Sequence, residues 1–182
     1  MNYKKRVLVF QIISSVFAMI LGTLLHFIYE WSGENLYVAW FSAVNESTWE
    51  HLKILFFPML ITMIIGYFYI GKKIPNFLCA KTIGIVTALL FTTTFFYTYT
   101  GIIGTNIAIL NISSFFIAII LGEYVAYKIM LSYFSCDKKI SLVTLIILSI
   151  CFVIFTYSTP QIELFKDPIT NKFGYESNMK QE

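Results

Sequence analysis

The sequence has little charge for its length. Only 13% of its 182 residues are Asp, Glu, Lys or Arg, whereas 58% are hydrophobic, and the mean hydropathy is +0.74. A soluble domain carries about 25% charged residues, so this composition indicates a membrane protein. Arginine occurs once and no basic run is interleaved with aromatic residues, so nucleic-acid binding has no support.

Cysteine is also scarce. Cys79, Cys136 and Cys151 are far apart and form no C-x-x-C pair, so we expect neither a disulfide framework nor a cysteine-based metal site. We expect these cysteines to act as small, buried apolar side chains. The sequence has no H-E-x-x-H motif and no E-x-x-H pair, so it does not signal a metal by spacing.

Long apolar runs fill most of the chain. A bilayer core of ~30 Å needs ~20 apolar residues per helix, and the sequence predicts five such helices, at residues 7–29, 48–70, 82–99, 106–131 and 140–157. The predicted fold class is therefore an all-α, polytopic membrane protein. The first run follows Lys4-Lys5-Arg6 but is too long for a signal-peptide core of ~7–15 residues, so we interpret it as an uncleaved helix.

The chain divides into a transmembrane helical domain, residues 1–158, and a C-terminal tail, residues 159–182. The tail is polar but contains spaced apolar residues such as Phe165 and Phe173, more than a disordered segment usually has. We therefore expect it to pack on the outer face of the helices. Residues 36–44 are apolar but too short to span, which predicts an interfacial or re-entrant piece.

Basic residues predict the orientation in the cell membrane. With a cytoplasmic N-terminus, nine Lys or Arg residues lie on the inner side and four, at positions 53, 166, 172 and 180, lie on the outer side. Because inner loops carry the excess of Lys and Arg, we expect a multi-pass protein with a cytoplasmic N-terminus and an extracytoplasmic C-terminus. Residues 26–53 then lie on the outer face.

The first half of this polar stretch contains His26 and Glu30. They are four residues apart, so they share one face of the first helix. A carboxylate beside an imidazole fixes its tautomer and suits it to proton transfer. We assign both as catalytic residues, with His26 as the general base and Glu30 orienting it. An ordinary polar pair at a helix end is the alternative.

The second half surrounds the start of the second helix. We assign five residues there to binding a polar substrate group, directly or through a metal: Asn45, Glu46, Trp49, Glu50 and His51. Four of them have a structural alternative: Glu50 fits a capping box that begins at Ser47, Asn45 suits a turn, Trp49 suits an aromatic belt, and His51 suits an interfacial position. Residues 26–51 contain four Glu and no Lys or Arg, so protonation, a metal or a cationic substrate group must compensate the charge.

The string Ser42-Ala-Val-Asn-Glu-Ser-Thr-Trp-Glu-His-Leu-Lys53, after His26-Phe-Ile-Tyr-Glu-Trp-Ser-Gly33, resembles a family of small uncharacterised bacterial integral membrane proteins. The tail from Leu164 to Tyr175 looks like the ending of that family, which implies no activity. The string His26-Phe-Ile-Tyr29-Glu30 is similar to one in VanZ-like membrane proteins. Some relatives of that group are thought to act on lipid head groups, which by analogy implies such a substrate here.

Three functional hypotheses follow. The leading one is an enzyme that acts on a lipid or lipid-linked substrate, so the expected partners are the bilayer and a lipid head group or divalent cation. The second is a cation or amine binding or transport protein with a polar path toward Glu123, although no inverted repeat is visible. The third is a structural or accessory subunit that uses the motif for docking. The cofactor is unknown.

Overall fold

A computed structural model describes residues 2–134 and 136–175, and within these residues the chain forms long helices and no strand. The five helices are α1 (Tyr3–Trp31), α2 (Thr48–Tyr69), α3 (Phe77–Ile103), α4 (Ala108–Met130) and α5 (Lys138–Tyr157). Each is long and apolar enough to cross a membrane, which confirms the all-α, polytopic fold class. Residues 176–182 of the predicted tail, including Lys180, lie outside the described residues.

The five helices alternate in direction along the chain, so their termini form two ends of one bundle. One end, which we call the site end because residues 26–53 lie there, holds the C-termini of α1, α3 and α5 and the N-termini of α2 and α4. The opposite, lysine-rich end holds the start of α1 with Lys4, Lys5 and Arg6, together with the Lys72–Lys73 turn. Residues 36–44, predicted to be a short interfacial piece, contain a single 3-10 turn at Val38–Trp40.

The third helix starts earlier than the sequence predicts, at Phe77 instead of residue 82. The predicted start at residue 82 left Lys81 just outside the helix. In the structure Lys81 is buried, and its Nζ lies 2.6 Å from both carboxylate oxygens of Glu123 on α4. Because the ion pair neutralises the lysine, the helix continues through it into the bundle.

Two glycines allow α3 and α4 to approach each other closely. A Cβ atom on Gly84 would meet the carbonyl oxygen of Gly122 at 2.4 Å, and a Cβ atom on Gly122 would meet that of Gly84 at 2.6 Å. Small residues at such a crossing let helix backbones touch, which is a common way of packing helices in membranes. The contact fixes α4 against α3 and so sets where the start of α4 lies at the site end.

The expectation of free cysteines is wrong for two of the three. Cys79, at the start of α3, and Cys136, just before α5, form a disulfide at the lysine-rich end. The side chain of Asn76 holds the intervening chain nearby by donating to the carbonyls of Ile129 (2.7 Å) and Phe134 (2.8 Å). The pair is separated by 57 residues, so its proximity depends on helix packing and leaves no sequence motif.

The described part of the tail, residues 159–175, packs against the start of α2. The indole of Trp49 lies between two rings, with centroid distances of 4.7 Å to Phe165 of the tail and 4.5 Å to Phe152 of α5. The Nδ2 of Asn45 donates to the carbonyl of Gly174 at 2.9 Å. Gly174 has a φ of +58°, and a Cβ atom there would meet the hydroxyl of Thr159, so a glycine is required.

Candidate functional site

Three side chains from two helices and a loop meet at the site end. The Nε2 of His26 on α1 lies 3.7 Å from one oxygen of Glu46, and the Nε2 of His51 on α2 lies 3.6 Å from the other. The two imidazole rings are 5.3 Å apart between centroids. We call His26, Glu46 and His51 the His/Glu cluster. All three side chains are partly accessible, at 28%, 43% and 32% exposure.

The tautomer of His51 is set by the start of its own helix. Its Nδ1 lies 2.9 Å from the carbonyl oxygen of Ser47, and since a carbonyl can only accept, Nδ1 must carry the proton. The lone pair of a neutral His51 is therefore on Nε2, the atom that faces Glu46. Ser47 also caps the helix, because its hydroxyl accepts from the backbone N–H of Glu50, which confirms the predicted N-cap.

The backbone around His26 is held by a hydroxyl group from the loop. Ser42 donates from its Oγ to the carbonyl of Leu25 and accepts from the backbone N–H of Tyr29 at 3.1 Å. These are the two groups that a regular helix pairs with each other, so the hydroxyl bridges them across one turn of α1. Sequence reasoning missed Ser42, since a serine in a loop gives no signal of hydrogen bonds to a turn of a distant helix.

The predicted His26–Glu30 pair is not formed. Glu30 is exposed, and among the described residues it makes no ion pair, whereas the carboxylate next to His26 belongs to Glu46. The spacing of four residues does place Glu30 on the same side of α1, but the imidazole turns toward α2. The Nδ1 of His26 is buried and has no hydrogen-bond partner within the part of the chain that the structure describes.

Glu50, predicted to bind substrate, lies in a separate and closed group. Its carboxylate is 1% exposed and lies 2.5 Å from the Nζ of Lys53. Lys53 also donates to the carbonyl of Ala39 and the hydroxyl of Thr156, both at 2.8 Å. The Glu50 carboxylate also accepts a hydrogen bond from the backbone N–H of Val44 at 3.1 Å. All the donors of Lys53 are therefore used, and the pair ties the loop, α2 and α5 together.

The remaining predicted binding residues also make structural contacts. Asn45 is 8% exposed; its Oδ1 accepts from the backbone N–H of Ser47 at 2.9 Å while its Nδ2 bonds the tail. Trp49 faces the aromatic rings of α5 and the tail, away from the cluster. Of the seven assigned residues, the structure thus brings together His26, Glu46 and His51.

Two cavities adjoin the cluster on different sides. A groove of about 240 Å³ lies between α1, α2 and α4, and apart from the two imidazoles and two polar side chains its lining is apolar. A second cavity of about 60 Å³, which we call the polar cavity because seven of its nine lining residues are polar, lies beside Glu46 and His51 and is lined in addition by Thr48, Thr92, Phe96, Asn106, Asn111, Ser114 and Phe115. His51, Asn111 and Phe115 line both cavities, so the cluster lies where they meet.

A set of mutually bonded side chains supports the polar cavity. The hydroxyl of Tyr99 on α3 lies within hydrogen-bond distance of the Oδ1 atoms of Asn106 and Asn111. The Nδ2 of Asn111 donates to the Oδ1 of Asn106 at 2.7 Å. These bonds join the C-terminal end of α3 to the N-terminal end of α4 and orient both amides. The sequence indicated polar residues at this level, but their pairing depends on the turn between the helices.

The comparisons with known proteins identify a family without identifying an activity. A family model described as "Family of unknown function (DUF6512)" matches residues 1–175, and the chain therefore belongs to that family. This confirms the expected membership of an uncharacterised family, while the N-E-S-T-W-E-H string and the likeness to VanZ-like proteins stay predictions. No curated protein and no solved structure matches the chain.

Proposed function

We propose that this member of an uncharacterised family is a membrane-embedded enzyme that acts on the polar head of a lipid or lipid-linked substrate. The observation that carries the proposal is the position of the His/Glu cluster between an apolar groove and a polar cavity. A lipid likewise has an apolar chain and a polar head group, and the bonds of the head group lie near the point where the two meet.

The groove opens on the side of the bundle. Phe27 on α1 and Ile112 on α4 line it and are exposed, and both belong to helices that can cross a membrane. Exposed apolar residues on such helices face hydrocarbon, so an acyl or polyprenyl chain can enter from the bilayer without crossing water. The polar head would then lie beside Asn111, whose amide is already oriented by its neighbours.

The cluster supplies groups for proton transfer at this junction. The His51 Nε2 lone pair can accept a proton from a water or hydroxyl in the polar cavity, and Glu46 stabilises the imidazolium that forms. His26 is placed on the groove side, where its Nε2 faces the same carboxylate. A hydrolysis or transfer at a head-group ester needs a base on one side and an acid on the other, and two imidazoles can supply both.

The test is turnover in a bilayer. Purified protein would be placed in nanodiscs made from a total lipid extract of the expression host, and lipid species and released head groups quantified by mass spectrometry. We expect time-dependent conversion of one lipid class by the wild type, and a loss of at least about 100-fold in His51→Gln, the range for removing a general base. Glu34→Gln is the matched control, because Glu34 is exposed and lies outside the cavities described.

Saturable lipid binding without conversion would contradict the enzyme proposal and favour a binding protein. Conversion that persists in His51→Gln and His26→Gln would also contradict it, because the activity would then come from another part of the chain. Both variants keep a neutral side chain with a hydrogen-bond donor, and His51→Gln can still donate to the Ser47 carbonyl. Size-exclusion profiles of the variants in detergent would establish that the bundle is folded.

We also propose that the N-terminus is cytoplasmic and the site end extracytoplasmic. Leaving out Lys53 and Lys81, which are buried inside the bundle, the count of basic residues is eight against three. In that orientation the Cys79–Cys136 pair lies at the cytoplasmic end, where disulfides are rare, so we expect thiols there in growing cells and a disulfide after air oxidation.

The orientation is testable with introduced cysteines. Asn35→Cys at the site end should react with a membrane-impermeant maleimide in intact cells, and Lys72→Cys at the lysine-rich end should react only after permeabilisation. The wild type, with its native cysteines, sets the background. The reverse labelling pattern would overturn the orientation, and would place the disulfide on the oxidising side.

A further inference from the structure

We propose that the His/Glu cluster is a binding site for a divalent transition-metal ion of the zinc type, with His26 Nε2, His51 Nε2 and the carboxylate of Glu46 as its ligands. The inference deepens the proposed function and rests on the same site. It does not depend on lipid turnover, however, because metal binding is measured directly. In the enzyme, the ion would take over the activation of water from a free imidazole.

The distances in the cluster favour a shared ion over direct hydrogen bonds. One ligand atom from each of the three side chains can be chosen so that all lie within 4.8 Å of one another. The two nitrogen–oxygen separations, 3.7 Å from His26 to one carboxylate oxygen and 3.6 Å from His51 to the other, exceed the usual limit of about 3.2 Å for a hydrogen bond. Ligands about 2.0–2.1 Å from a tetrahedral zinc lie about 3.3 Å from each other, close to the separations seen here.

The hydrogen bond of His51 prepares the correct nitrogen. A metal ligand must present a lone pair, and histidine ligands typically donate the other ring N–H to a carbonyl or carboxylate, which fixes the tautomer. His51 does this with the Ser47 carbonyl at 2.9 Å, leaving Nε2 free toward Glu46. This bond is an observation independent of the clustering, and it arises from the capped first turn of α2.

The charge of the cluster also fits a cation. Among the described residues, the ion-pair partners of Glu46 are the two imidazoles, whereas the nearby lysine, Lys53, is bound to Glu50 and has no donor left. A negative group with two neutral nitrogens is the donor set that zinc, and not calcium or magnesium, prefers, since the latter select oxygen ligands.

Three protein ligands leave one tetrahedral position for water or substrate, as in catalytic and unlike structural zinc sites. The polar cavity of about 60 Å³ begins at Glu46 and His51, so the open position can face it. That volume holds a water. The predicted site therefore couples a metal-activated water to the place where a head group would enter.

The test uses the full-length chain in detergent, treated with chelator and dialysed. Zn²⁺ is titrated by calorimetry with metal content determined by mass spectrometry, and Co²⁺ serves as a spectroscopic probe of tetrahedral coordination. We expect one ion per chain. Affinity should fall on the order of 100-fold or more in His51→Gln and Glu46→Gln, more than the effect of a second-shell change. Glu34→Gln, at an exposed position outside both cavities, should bind as the wild type does.

A measurement on the wild type guards against variants that do not fold. Bound Zn²⁺ should protect both histidines from diethyl pyrocarbonate, as quantified for each residue by mass spectrometry. Unchanged affinity in both ligand variants, the absence of saturable binding, or histidines that stay reactive under Zn²⁺ would each overturn the inference. Zinc binding without lipid turnover would leave it standing and defeat the enzyme proposal, whereas histidine-dependent turnover with no metal bound would do the reverse.

Discussion

Glu46 and Glu50 are four residues apart at the start of α2, and the structure places them in opposite surroundings. Glu50 is 1% exposed, bound to a lysine and a backbone N–H. Glu46 is 43% exposed and faces two imidazoles beside a cavity. The two carboxylates differ in whether a lysine pairs with them. Glu50, which is paired with Lys53, is buried in the bundle, whereas Glu46, which has no lysine partner among the described residues, stays accessible beside a cavity.

A second sealed pair supports this distinction. Lys81 and Glu123, toward the lysine-rich end, are both buried and lie 2.6 Å apart. The transport hypothesis predicted a polar path toward Glu123. Because Lys81 neutralises Glu123, this residue gives that hypothesis no support. Buried ion pairs of this kind hold helices in register, whereas an uncompensated, accessible carboxylate is what a ligand site needs.

The largest effect should come from breaking the sealed pair. Lys53→Met leaves the Glu50 carboxylate buried without its cation, which we expect to lower the free energy of unfolding by about 3–5 kcal/mol. Thermal unfolding in detergent, followed by tryptophan fluorescence, measures the loss. Lys5→Met, at an exposed position, should stay within about 0.5 kcal/mol of the wild type.

The double variant Glu50→Gln/Lys53→Met sharpens this test. It removes both charges while the Gln can still accept from the Val44 N–H, so we expect most of the lost stability to return. Equal instability of the single and double variants would show that the pair does not act through charge. Glu46→Gln, in contrast, should change stability by less than about 1 kcal/mol, as expected for a partly exposed group.

A smaller effect should follow from Gly174→Ala in the tail. The φ of +58° and the contact of the new Cβ with Thr159 should cost about 1–3 kcal/mol and weaken the anchor of Asn45. We expect lower thermal stability together with weaker Zn²⁺ binding by the neighbouring Glu46. Gly101→Ala is the control, since a Cβ atom there meets nothing within 4 Å. Identical behaviour of the two variants would argue against a fixed tail.

Ser42→Ala tests the loop that holds the His26 turn. The Ala variant loses the two bonds of the hydroxyl, while the Tyr29 N–H and the Leu25 carbonyl can still pair with each other within α1, so the expected loss is about 1 kcal/mol, near the net value of one hydrogen bond. The Glu50 group should be unaffected, and thermal unfolding with Co²⁺ spectra would separate the two regions. Ser113→Ala, on an exposed position of α4, is the control; a larger loss there would count against a stabilising role of the Ser42 hydroxyl.

The smallest effect is expected for Glu30→Gln. The sequence assigns a catalytic role to Glu30, but the carboxylate beside His26 is Glu46, so we expect less than a twofold change in turnover and less than about 0.5 kcal/mol in stability. Turnover measured beside Glu46→Gln decides between them. If Glu30→Gln lowers turnover more than Glu46→Gln does, then Glu30, and not Glu46, is the functional carboxylate.

Features that depend on local patterns were predictable from the sequence. Apolar runs indicated the five helices, and Ser47 followed by an apolar run indicated the N-cap of α2. Features that depend on distant packing were not: the hydrogen bonds of Ser42 to α1, the Cys79–Cys136 bridge, and the choice of Glu46 over Glu30 as the partner of His26. In each case the deciding neighbour lies on another element, so spacing along the chain carries no information about it.

The bond between Asn45 and Gly174 also has a consequence in time. It joins residues separated by 129 positions, and at a synthesis rate of about 5–20 residues per second the second partner emerges roughly 6–26 s after the first. His26, Glu46 and His51 are thus all made well before the segment that anchors their loop. During each round of translation, both histidines and Glu46 are therefore already synthesised while the tail that holds their loop is not. A metal ion that arrives in that interval would meet a site whose loop is not yet anchored.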